Sequence, residues 1–245
     1  MRRREFITLL GGTMAAWPLG ARAQQPGKMP TIGFLGESTQ SGQRQWAAAF
    51  VQRLRELGWI EGRNIAIEYR WAEGRNERFA ELVSELVRLK VDAILTQGTP
   101  AVLAAKQATS IIPIIFAIAG NPVANGLIAS LAQPGGNVTG LTNQTADLAG
   151  KRLEILREVV PGLRHLAIMA NVDNPSVVLD ISEVEAAARR LGLQVVTSEI
   201  RRAEDIAPAI EASRGKVEAL YVAGDPLVTT NRTRVAILAV GAHLP

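Results

Sequence analysis

Apolar residues along the chain fall into short compact runs and longer stretches spaced three or four apart, and the two kinds alternate. Thr31 to Gly36 is a compact run closed by glycine, and after a polar stretch Trp46, Phe50, Leu54 and Leu57 recur at helical spacing. Together they predict a strand, a loop and an amphipathic helix. Gly58 should end that helix, because it tolerates the left-handed backbone on which helices close. Ile65 to Trp71 alternates as a strand, and Phe79, Leu82, Val83, Leu86 and Val87 predict the apolar face of a second helix. Val91 to Thr96 reads as a buried strand, with Thr99-Pro100 opening an Ala-rich helix after it, since proline's missing N–H is not needed in a first turn. Ile112 to Ala117 predicts a fourth strand, with Pro113 near its start.

The same order begins again at His165. Leu166 to Ala170 predicts a strand, Val177, Ile181, Val184, Ala188 and Leu191 line one face of a long helix, and Leu193 to Ser198 predicts the next strand. A helix over Ala203 to Ser213, a strand over Val217 to Ala223 and a helix over Thr230 to Val240 follow. Two αβ series in tandem predict an α/β protein with two Rossmann-like lobes, each a parallel sheet flanked by helices. Between them Gln133-Pro134-Gly135-Gly136-Asn137 marks a turn, and Val138 to Thr142 leads into a helix holding Leu153, Leu156 and Val160. The crossing between lobes is expected here, with the first lobe over 31–145 and the second over 146–245. One large domain with an ordinary surface loop at this place is the alternative. The sequence stops just after a helix with no strand to follow, so the second lobe is expected to be incomplete.

The N-terminus changes the expected address. Arg2, Arg3 and Arg4 precede an apolar run from Phe6 to Leu19, followed by Ala21-Arg22-Ala23, the three-part layout of a secretory signal. Residues 1–23 are therefore expected to be removed on export, leaving a short leader over 24–30, and Arg3-Arg4-Glu5-Phe6-Ile7 admits the twin-arginine route as well as ordinary secretion. These 23 residues carry four arginines and one glutamate, so the formal charge of +4 falls to +1 without them. A near-neutral remainder, without a Lys/Arg cluster, disfavours nucleic acid as a partner. No later apolar stretch reaches the length of a membrane span. With no cysteine, a chain of this size must rely on its core in an oxidising envelope, which its length allows. A periplasmic monomer is expected.

Catalytic chemistry finds little support. The two histidines, His165 and His243, lie at a strand entrance and near the last residue, and there is no Gly-x-Ser-x-Gly elbow, phosphate loop or dinucleotide glycine pattern. No catalytic residue, metal site or cofactor is expected. What remains are polar residues at the carboxyl ends of strands, where open α/β sheets bind ligands. In the first series these are Glu37, Ser38, Thr39, Gln97, Gly98, Thr99, Gly120 and Asn121, with Asn143 as a further candidate beyond the turn. In the second they are Asn171, Asp173, Asn174, Ser176 and Asp225. All but Gly120 and the turn residue Asp173 are candidates for holding a small molecule, although the same residue types also cap helices and build turns. Asp225 is the most suggestive acid, able either to cap a helix or to receive a ligand ammonium. Trp46, Trp59 and Trp71 read as packing residues outside the site.

Several stretches resemble the ABC-transporter substrate-binding family that includes tryptophan-type and related solute receptors. They are Ile32-Gly33-Phe34-Leu35-Gly36, Leu57-Gly58-Trp59-Ile60-Glu61-Gly62-Arg63-Asn64-Ile65, Asn121-Pro122-Val123, Leu131-Ala132-Gln133-Pro134-Gly135-Gly136-Asn137-Val138-Thr139-Gly140 and Gly224-Asp225-Pro226-Leu227. The Pro-Gly-Gly-Asn-Val-Thr-Gly segment is the most specific. The resemblance implies the type I periplasmic binding fold, with two lobes closing about a hinge on a small organic ligand such as an amino acid. It also implies no catalysis and delivery to an ABC permease at the membrane. Many relatives carry Asp where this chain has Asn121, and the family is expected to run on for roughly 80 residues, ordinary for a two-domain chain. An exported sensor presenting its ligand to a signalling partner, and an envelope enzyme using Asp225 and Glu37, are the competing readings.

Overall fold

The structure, a computed structural model, describes residues 29–143 and 148–245. The expected signal over 1–23 and the expected boundary at 145/146 lie outside the described residues. Among the described residues eight strands form two sheets in tandem, flanked by eight α-helices. In the first sheet β1 (Thr31–Gly36), β2 (Ala66–Trp71), β3 (Ala93–Thr96), β4 (Ile114–Gly120) and β5 (Val138–Asn143) run parallel in the order β2-β1-β3-β4-β5. Helices α1 (Gln40–Glu56), α2 (Phe79–Arg88) and α3 (Thr99–Ala108) connect the strands. The second sheet pairs β6 (His165–Asn171), β7 (Gln194–Ile200) and β8 (Ala219–Val222) in the order β7-β6-β8, again parallel. Its helices are α4 (Ala149–Val159), α5 (Pro175–Arg190), α6 (Ile206–Ser213), α7 (Pro226–Thr230) and α8 (Arg232–Gly241). Both sheets thus begin second-first-third, as sequence-level tandem repetition of an αβ series requires.

Packing follows the apolar periodicity where a helix lies on a sheet. Phe79, Leu82, Val83 and Leu86 of α2 are buried with Leu35, Ile94, Ile114 and Phe116 in the first core. Val177, Val184 and Ala188 of α5 are buried with Leu153, Leu166 and Ile168 on one face of the second sheet, and Ile206, Ile210 and Val235 pack with Met169 on the other. Helix α1 departs from expectation. Of its predicted apolar face, Leu57 is 60% and Trp46 38% exposed, and the helix's buried residue is instead Gln43, whose Oε1 accepts the Ser38 N–H at 3.3 Å. On this face of the first sheet the Phe34 ring packs against those of Phe50, Tyr69 and Trp71.

Local chemistry moves several boundaries. Val138 to Thr142, expected as the start of the crossing, is a fifth strand of the first sheet, and the chain passes to the second sheet after it. Pro113 precedes β4 rather than opening it, because the Thr109 hydroxyl accepts the N–H groups of Ile111 and Ile112 and holds them in a turn. The single helix expected over Thr230 to Val240 is two, divided at Asn231. No helix among the described residues is long and apolar enough to cross a membrane.

Candidate ligand-binding site

A strand order that reverses beside its first strand leaves a crevice at the carboxyl ends, because the flanking connections leave to opposite faces. In the first sheet this point lies between β1 and β3, and it carries Glu37, Gln97, Gly98 and Thr99. In the second it lies between β6 and β8, and it carries Asn171, Asn174 and Asp225. The two points face each other across a cavity of about 450 Å³, a volume suited to a small organic molecule. Its wall includes Glu37, Gln97, Gly98, Thr99 and Asn143 from one side and Asn174, Ser176 and Asp225 from the other. The sheets touch beside it, where the Thr99 and Ser176 hydroxyls lie 2.6 Å apart and Ser176 Oγ donates to the Gly120 carbonyl at 2.8 Å.

Eight of the twelve candidate residues therefore border one cavity, and the other four have local tasks. Thr39 caps α1, its hydroxyl accepting the Gly42 N–H at 3.1 Å. Asn121 takes a left-handed backbone, φ 31°, and its side chain accepts the Ala124 N–H in its own turn. Ser38 is buried behind Gln43. Asn171 lies one layer back and donates to Asp225 Oδ1 at 3.1 Å. Sequence reasoning missed Gln43, Trp46, Asp180, Thr229 and Thr230, which also line the cavity. Helical spacing from Asn174 could have found Asp180, since both sit on the α5 face that carries Val177 and Val184. The spacing of Trp46 points to packing, but spacing does not distinguish a helix face over a core from one over a cleft.

The acids differ in how they are held. Asp225 Oδ1 accepts from Asn171 Nδ2 and, at 2.7 Å, from the Leu227 N–H at the start of α7, while Oδ2 accepts from Asn174 Nδ2 at 2.8 Å. Burial raises its carboxyl above the usual range and these donors pull it back. Glu37 is 5% exposed, and its Oε2 has Gln97 Nε2 at 3.3 Å while Oε1 has no hydrogen-bond partner. Burial, and then the negative charge of Asp225, push this carboxyl well above the carboxylate range. Glycine at 98, with φ 76°, is what admits it, because a Cβ there would overlap Glu37 Oε1. Asp180 also has an unpartnered Oδ1, and burial raises its carboxyl against the pull of Arg152. Among the described residues no Lys, Arg or His borders the cavity, and no cluster of acids and histidines is fit to hold a metal ion.

The model of the family described as ABC transporter substrate binding protein matches residues 41–245. The chain belongs to this family. A tyrosine-binding protein of Clostridioides difficile is 29% identical over 196 residues, covering 80% of this chain and 56% of that protein, so the chain spans little more than half that relative's length. A conserved domain protein from Vibrio cholerae overlays with a TM-score of 0.81 at 23% identity, covering 89% of this chain and 73% of that one. A Streptococcus ABC domain in complex with L-Trp gives 0.79 at 23% identity, with the same coverages. A Clostridium difficile substrate binding protein with adhesive properties, in a ligand-free, open structure, is 28% identical but overlays with a TM-score of 0.56, covering 88% of this chain and 72% of that chain. The fold is the type I periplasmic binding fold, as the two parallel lobes and these neighbours show together.

Proposed function

We propose that the chain is the ligand-capturing component of an ABC import system, working outside the cytoplasmic membrane and handing a small organic molecule, an amino acid first among the candidates, to a membrane permease. The observation that carries this reading is the pairing of two strand-order reversals across one cavity, each contributing polar groups from a different lobe. A molecule held by both lobes stabilises the closed arrangement by its differential affinity, and closure is then the signal a permease can read.

The contact between Thr99 and Ser176 is what a closed arrangement supplies. The better overlay on the L-Trp complex than on the more similar but open chain supports the same reading, because a change in the angle between similar lobes lowers overlap without touching identity. The ligands named for relatives, tyrosine and tryptophan, favour an amino acid. The N-terminal residues, read as a secretory signal, support the extracytoplasmic location.

The test is to purify the protein without denaturation, release its small molecules and identify them by mass spectrometry, then incubate them with fresh protein. One small molecule released in stoichiometric amount and recovered unaltered supports a receptor. Steady conversion into a product would replace this reading with the envelope enzyme.

A further inference from the structure

Among the described residues, the orphaned side-chain atoms that border the cavity are Glu37 Oε1, Asn143 Oδ1 and Asp180 Oδ1, and all three are acceptors. A buried acceptor without a donor costs free energy, and a buried carboxylate without a counter-charge costs more. Among the described residues that line the cavity there is no cation, and of its three carboxyl groups, Glu37, Asp180 and Asp225, only Asp180 feels a guanidinium, that of Arg152. Of these, Asp225 already has both oxygens engaged by the asparagine amides and the α7 backbone. Its place in the fold is therefore that of a cap and a support for Asn171 and Asn174. Glu37 is different in either protonation state. Ionised, it lacks a donor at Oε1; protonated at that oxygen, its O–H has no acceptor beside it.

The backbone around Glu37 is shaped to leave the carboxyl where it is. Gly98 removes the Cβ that would collide with it. The carbonyl of Glu37 itself accepts the Gly74 N–H at 2.7 Å, which ties the loop after β1 to the loop after β2. Gln97 supplies a single donor from one side. What completes this set is a group bringing several N–H donors and a positive charge at once, which is the description of a protonated amine.

Resting on the reading that this cleft is a ligand site, we propose that Glu37 is the receptor for a protonated amine, so that the protein selects cationic and zwitterionic small molecules over their amine-free counterparts. Asn143 and Asp180, which carry the other orphaned acceptors, border the same cavity. The acid singled out from sequence, Asp225, becomes a positioning residue that holds the opposite wall.

Matched compounds test this on the full chain: L-tyrosine and L-tryptophan, the decarboxylated amine tyramine, and the deaminated acids 3-(4-hydroxyphenyl)propionate and indole-3-propionate, with leucine and fructose added for breadth. Thermal-shift screening and then calorimetry are expected to show binding only where the amine is present. Glu37→Gln should weaken the best amine at least about 30-fold, the low end for removing one partner of a buried charge pair, while the variant melts no lower than the parent. Binding of a deaminated acid as tightly as its amine-bearing match, or unchanged affinity in Glu37→Gln, overturns the assignment and leaves the receptor reading intact. Absence of binding by every compound, with circular dichroism showing a folded protein, counts against the receptor reading itself and removes the basis of the assignment.

Discussion

At the scale of single residues, similar side chains at the strand ends have divided their tasks according to their hydrogen bonds. Thr39, Asn174 and Asp225 all accept a backbone N–H at the start of a helix, the cap role that their residue types predict. Glu37 does not cap α1, and its carboxyl remains buried beside Gln97 and Gly98. That difference has a pH signature. The Glu37 carboxyl lies well above its ordinary value of 4.5 in the folded protein, chiefly through burial and then through Asp225. The folded state therefore holds its proton more tightly than the unfolded chain does. Its contribution to stability is complete below the unfolded value and is lost as pH rises through the raised folded one. The groups that act on it are Asp225, itself raised by burial, and the Gln97 amide, which lowers it, and among the described residues no base lines the cavity to reverse the sign. The surface pair works in a separate window, since His165 holds Glu218 down to about 2 and that contribution fades only as pH falls below 4.5. Melting temperature in ligand-free samples should thus decline from pH 5 towards neutrality, by roughly 2–4 °C for each kcal/mol lost, and Glu37→Gln should flatten part of that slope. A slope identical in parent and variant would show that Glu37 is not strained by its burial.

At the scale of elements, the strands and helices that lie flat on a sheet were legible from apolar spacing, and those that turn or border the cleft were less so. The face of α2 and most of the face of α5 can be read directly, because periodicity reports burial against a sheet. The face of α1 cannot, because Trp46 belongs to the cavity wall while Gln43 takes the buried place. Position after a strand points to all of the candidate site residues except Asn143, and position cannot separate a side chain bent back onto its own turn, as Asn121 is, from one that borders the cleft. Strand β5 escaped because its register shifts between Phe116 and Ala119 of β4 and its sequence, Val138 to Asn143, is short and partly exposed. That shift explains the glycine of its most family-specific segment. A Cβ on Gly140 would overlap the backbone oxygen and ring of Phe116. Gly140→Ala should therefore cost about 1–3 kcal/mol, as overpacking in a tight interior does, measured by urea unfolding. The same substitution at Gly150, which meets nothing within contact distance, should cost much less. Equal losses at the two positions would contradict the close approach of β4 and β5.

At the scale of the whole molecule, two lobes with the same second-first-third strand order place two ligand-prone crevices mouth to mouth, and both line one cavity. The tandem pattern was visible in the sequence, and so were the family-like segments; the meeting of Thr99 with Ser176 and the shortage of donors around Glu37 were not, because both depend on residues far apart in the chain. The central claim is that one small molecule is held by both lobes at once. Hydrogen exchange followed by mass spectrometry, with and without the molecule recovered from the protein, tests it most directly. The ligand should slow exchange together in peptides over 37–43 and 97–102 of the first lobe and over 171–180 and 224–230 of the second. Protection confined to one lobe, or to the groove that Gln40, Val51 and Tyr69 line beside α1, would contradict it.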